Sequence, residues 1–134
     1  MRVMAALALL LCFGGSAYAQ DLSRPCDKSA FFNHSVPTGP VNLVLGVDGQ
    51  RIYLCGFTIM QKGNTLDFIL SVGQGVNCAA NNVQITPQFE LPADFALTTR
   101  INAGQPLPGV GYGLCVQTLG SNGKLAGIVY YSQF

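Results

Sequence analysis

The run Gln50-Arg51-Ile52-Tyr53-Leu54-Cys55-Gly56-Phe57-Thr58-Ile59-Met60-Gln61 decides the fold class. It is the longest stretch of β-branched, aromatic and aliphatic residues after position 19, and such residues suit the pleated, packed surface of a sheet. Read with a period of two, Ile52, Leu54, Thr58 and Met60 share one face and Tyr53, Cys55, Phe57 and Ile59 the other. Both faces are apolar, so the strand is expected in the middle of a sheet. Just upstream, Asp48-Gly49 follows a second apolar run, Val41 to Leu45. That residue pair suits a tight turn with positive φ and predicts a hairpin.

Moving outward, Thr65 to Val72 alternates cleanly. Leu66, Phe68, Leu70 and Val72 fall on one face, Asp67 and Ser71 on the other, the pattern of a strand with one wet face. Further strands are expected at Ser29 to Asn33, Val83 to Ile85, Phe95 to Ile101, Tyr112 to Thr118 and Lys124 to Gln133, with a short piece around Phe89 and Glu90. Pro87 and Pro92 bracket that piece and confine it to an edge. Asn102 to Gly111, rich in glycine and proline, reads as a long loop. No stretch after the leader sustains a helical period. The fold class is therefore all-β: an antiparallel β-sandwich of about seven or eight strands with jelly-roll or immunoglobulin-like topology.

Met1 to Ala19 carries Arg2, then the apolar run Val3 to Phe13, then small residues ending Ala17-Tyr18-Ala19. That order is a secretory signal peptide with an A-x-A cleavage site. The apolar run falls short of the roughly 20 residues that span a bilayer. The chain thus divides into a signal peptide over residues 1–19 and one sandwich domain over 20–134, expected to be secreted, periplasmic or at the cell surface, with no membrane attachment once the leader is removed.

Cys12 leaves with the leader, and Cys26, Cys55, Cys78 and Cys115 remain. An even count in an exported chain reads as two disulfides. Cys26 with Cys55 and Cys78 with Cys115 would close the shorter loops, but sequence leaves all three pairings open. A zinc site is disfavoured, since no two cysteines stand at the close spacing such sites use.

Lys and Arg number 7 against 6 Asp and Glu, so the chain without Arg2 is formally neutral. Neither sign forms a run, and the basic stripe that a nucleic-acid binder needs is missing. A domain with few charges is weakly protected against self-association, which points to a homo-oligomer or to a part of a larger protein assembly.

Chemistry-bearing residues are sparse. His34 is the only histidine, and a general base, a catalytic triad or a zinc site would have to use it. Asp67, Glu90 and Asp94 are the candidates for a carboxylate pair, and their strand and turn positions are explained by solvation. Gly73-Gln74-Gly75 lacks the following helix that a phosphate loop needs. No calcium-type acidic cluster exists. The chain is read as a non-enzyme with no cofactor and no metal. The alternative is a carbohydrate- or ligand-binding module, with Tyr112, Tyr130 and Tyr131 as the candidate contacts. Against it, Trp, the residue such platforms favour, is absent.

Cys26, the run Gln50 to Phe57, Gly73-x-Gly75-x-x-Cys78, Gly113-Leu114-Cys115 and the closing Tyr130-Tyr131-Ser132-Gln133-Phe134 together resemble a class of small exported or phage-associated β proteins of bacterial and phage genomes. The resemblance covers nearly all of the chain after the leader. It implies a disulfide-bearing sandwich or jelly roll with no established activity and a structural or surface-attachment role.

Overall fold

The computed structural model describes residues 26–35, 38–120 and 123–134, without the side chains of positions 38, 102 and 103. The expected signal peptide lies outside the described residues. Among them the chain forms nine strands: β1 (Lys28–Ser35), β2 (Thr38–Val44), β3 (Ile52–Gly63), β4 (Leu66–Gln74), β5 (Ala80–Gln84), β6 (Phe89–Leu91), β7 (Ala96–Pro106), β8 (Gly113–Gly120) and β9 (Gly123–Gln133). A single 3-10 turn, Val76–Cys78, joins β4 to β5. Sheet A has the order β1-β9-β3-β7, and sheet B has the order β2-β8-β4-β5, with β6 also paired to β4. The count exceeds the expected seven or eight because the far edge of β4 is shared: β6 takes Leu66 to Phe68, and β5 takes Ser71 to Gln74. Between them, Ile85 N–H donates to the Leu70 carbonyl at 2.9 Å and Leu70 N–H donates to Thr86 Oγ1 at 3.0 Å.

The pairings choose between the two expected topologies. β1 pairs with β9, β2 with β8, β3 with β7 and β4 with β5, so the chain is one long antiparallel ribbon doubled back at Val76–Cys78. Rolling the ribbon adds β3 to β9 and β4 to β8. Apart from β4-β5-β6, every connection crosses from one sheet to the other. Immunoglobulin-like sandwiches keep several consecutive strands in one sheet; a doubled, rolled ribbon is a jelly roll.

This topology corrects one expectation. Asp48-Gly49 does form a turn, with Gln50 N–H donating to the Val47 carbonyl at 3.0 Å and Gly49 at φ 76°. It is not a hairpin, because β2 and β3 belong to different sheets. Turn chemistry is local, whereas strand pairing depends on partners far away in sequence.

A second correction concerns β3, which does lie inside its sheet. Leu54 stands opposite Tyr131 while Gly56 stands opposite Tyr130, so Cys55 is an extra residue in the ladder. A bulge of this kind shifts the side-chain alternation by one. Ile52 and Leu54 point inward, then Phe57, Ile59 and Gln61, while Tyr53, Cys55, Thr58, Met60 and Lys62 point outward. β7 arches at the same place, since Leu54 meets Gln105 while Gly56 meets Arg100. β7 therefore runs into the segment expected to be loop.

The core lies between the sheets and follows the alternation. Leu66, Phe68, Leu70 and Val72 of β4 are all buried, as are Leu114 and Val116 of β8 and Leu125 and Val129 of β9. Phe57 from sheet A meets Phe68 from sheet B edge to face at 6.2 Å, and Phe68 stacks on Phe89 at 5.0 Å. Such pairs add about 0.5–1.5 kcal/mol each beyond their area burial. The first pair bridges the two sheets, and the second braces β6 against β4 within sheet B.

Cys26 is bonded to Cys55, and Cys78 to Cys115. The first bond ties the start of β1 across β9 to the β3 bulge. The second ties the ribbon's tip to β8. By the chain-entropy account, loops of 29 and 37 residues are worth about 3.6 and 3.8 kcal/mol. Two such bonds are the mark of an oxidising compartment. No helix among the described residues is long and apolar enough to cross a membrane.

Candidate functional site

The three candidate tyrosines do not form one platform. Tyr130 and Tyr131 are adjacent in β9 and so point to opposite faces of sheet A: Tyr131 packs half-buried against the core, and Tyr130 is exposed on the outer face. Tyr112, just before β8, is also half-buried against the core. Its ring leaves no room for a side chain at Gly109, whose Cβ would come within 2.5 Å of it. Tyr130 lines a shallow depression of about 340 Å3 with Arg100, Ile101, Cys26 and Cys55.

His34 lies on the inner side of β1, stacked on Phe32 with ring centroids 6.0 Å apart, and its Nε2 is buried without a hydrogen-bond partner. It lines neither the depression beside Tyr130 nor the space around Phe57, Ile85 and Leu107. Asp67 and Glu90 stand directly opposite each other across β4 and β6, and Gln88 Nε2 donates to Asp67 Oδ2 at 2.6 Å. Asp94 accepts the Gly63 N–H at 3.2 Å. Among the described residues no three His, Cys, Asp or Glu side chains are grouped to hold a metal ion.

Two surfaces stand out. On one side of the sandwich lie the edge strands β1 and β2, which follow each other directly in the chain. On the other, between β7 and the β5–β6 edge, a cleft of about 370 Å3 is lined by Leu54, Phe57, Ile85, Phe89, Ile101 and Leu107, with Gln and Thr side chains around them.

The larger surface is the outer face of sheet A, built of cross-strand rows. In one row Phe31, Ile128, Thr58 and Thr98 are successive partners, and the two threonine hydroxyls lie 3.3 Å apart. The next row is Asn33, Ala126, Met60 and Ala96. A third brings Ser29, Tyr130, Gly56 and Arg100 together. Phe31 is 76% exposed, Met60 54% and Tyr130 40%. Single exposed apolar residues are ordinary, but contiguous ones on a sheet face mark contact surfaces.

The sequence held one unused signal for this face. Phe31 and Phe32 are neighbours in a strand, so one had to point away from the core; Phe31 does. Met60 was obscured by the β3 bulge, which transferred it from the face of Ile52 and Leu54 to the opposite one.

The chain matches no family model, no curated protein and no solved structure.

Proposed function

We propose that this protein is an exported, non-enzymatic structural module that associates with copies of itself or decorates a larger assembly. The observation that carries the reading is the outer face of sheet A, where Phe31, Met60, Ile128 and Tyr130 form an apolar surface left to solvent in the single chain. The near-absence of net charge leaves little overall repulsion between copies of the chain. Export is supported by the leader pattern and by two disulfides. The absence of catalysis is supported by His34 packing on Phe32. Light scattering on the size-fractionated protein tests the reading: mass should rise with concentration, and Phe31→Ser with Met60→Ser should suppress the rise while far-UV circular dichroism stays unchanged. A chain that remains strictly monomeric at the highest attainable concentration removes the self-associating form of the proposal.

A second reading, carbohydrate binding, is favoured by one observation: Tyr130 borders the depression beside Arg100, where a sugar face could stack on the ring. A glycan array that shows binding lost on Tyr130→Ala would support it, and an array without binding removes it.

A further inference from the structure

Charge is segregated between the two sheets. The charged strand residues of sheet A are Lys28, Lys62, Arg100 and Lys124, all cations; those of sheet B are Asp67 and Glu90, both anions. The remaining described charges, Asp27, Asp48, Arg51 and Asp94, lie outside the strands. Within each sheet two like charges sit side by side. Lys62 is the direct partner of Lys124 across β3 and β9, and Asp67 that of Glu90 across β4 and β6. By the alternation of buried neighbours, both lysines point to the outer face of sheet A and both carboxylates to the outer face of sheet B. Like charges directly opposite each other in a ladder are unfavourable, so each pair weakens the isolated chain. The pairs also lie at the same end of the sandwich, on either side of the turn that joins β3 to β4.

Resting on the self-association proposed above, we propose the mode: copies of the chain stack head to tail, the outer face of sheet A of one on the outer face of sheet B of the next. The face that needs covering carries Phe31, Met60 and Ile128 between the lysine pair and Arg100. Pairing it with itself across a two-fold axis would set cations against cations. The outer face of sheet B offers half-buried Ile69 and Leu119 beside the carboxylates, so a simple translation along the sandwich normal brings the lysine end over the acidic end. Each like-charge pair then gains a partner of opposite sign. A heterologous contact of this kind does not close on itself and builds an open row.

The test uses two charge-reversed variants of the signal-free chain, Lys62→Glu with Lys124→Glu and Asp67→Lys with Glu90→Lys, in sedimentation velocity at low salt. Each alone should lose association by on the order of 100-fold, because like charges then face each other. An equimolar mixture should regain it and grow beyond dimers, since each variant's altered face meets an oppositely charged one. Asp48→Lys, away from both faces, should behave as wild type, and circular dichroism should show every variant folded. If the Asp67→Lys, Glu90→Lys variant associates as the wild type does, or the mixture stops at dimers, the head-to-tail mode is overturned while self-association stands. A monomeric wild type overturns both.

Discussion

The β3 bulge sets the phase of the central strand, and its glycine offers a quantitative test. At Gly56, φ is 152° and an added Cβ would lie 2.4 Å from the Thr99 carbonyl oxygen and 3.1 Å from Arg100 Cα. Both obstacles are backbone of β7, so no rotamer change relieves them. Restoring an ordinary carbon–oxygen contact of about 3.3 Å requires β3 and β7 to part by roughly 0.9 Å. Ladder hydrogen bonds of about 2.9 Å would then stretch past the range in which they count. Losing about two of them costs roughly 2 kcal/mol, and a side chain at this backbone conformation adds about 1–2 kcal/mol. Gly56→Ala should therefore cost about 3–4 kcal/mol, a large part of the stability of a typical domain. In urea unfolding followed by far-UV circular dichroism, a slope near 1.5 kcal/mol/M turns that loss into a midpoint shift of about 2 M. Gly49→Ala is the control, because Gly49 also has positive φ but nothing within 4 Å of its added Cβ. It should cost only about 1 kcal/mol. Equal losses in the two variants would refute the close approach of Gly56 to β7, and with it the phase switch at Cys55.

Phe68→Ala should cost about 3–5 kcal/mol in the same assay, because the ring is fully buried and contacts both Phe57 and Phe89; a loss below 1 kcal/mol would contradict its place between the sheets. Reduction should be sequential: Cys26 is exposed while Cys78 and Cys115 are 1% and 0% exposed, so mild dithiothreitol followed by alkylation and peptide mass spectrometry should label Cys26 and Cys55 first. Simultaneous labelling of all four in folded protein would show that the second bond is not shielded. Tyr131→Ala should destabilise by about 1–3 kcal/mol and Tyr130→Ala by under about 0.5 kcal/mol, and the reverse order would place the wrong tyrosine against the core.

The interior was legible where alternation ran without interruption. Leu66, Phe68, Leu70 and Val72 are buried as their spacing predicts, because a strand in register leaves no other choice. Disulfide formation followed from the even count of cysteines, and the pairing that closes the shorter loops is the one found. The faces of β3 were read correctly only as far as Cys55 and are exchanged from Phe57 onward: nothing in the residue types announces that Cys55 is unpaired in the ladder, although Gly56 beside it is a residue a bulge tolerates. The Asp48-Gly49 turn was visible, but that its two strands part into different sheets was not, since the partners β8 and β9 lie about half the chain away. The candidate site was the least legible part. Lys62 and Lys124, or Asp67 and Glu90, look like scattered charges along the chain and become neighbours only once the ribbon is rolled.

The position of β9 carries a consequence for how the molecule comes into being. It is the farthest of the nine strands along the chain, yet it sits between β1 and β3, so no ribosome or export channel releasing the polypeptide from its N-terminus can deliver a finished sheet A until residues 123–133 have emerged. Until then β1 and the exposed flank of β3 wait with open backbone edges, and the long-range closures make the final step slow. A topology of this kind keeps the first-made edge of the sheet unfinished until the last strand is available, so the final shape is set by the last residues to join it.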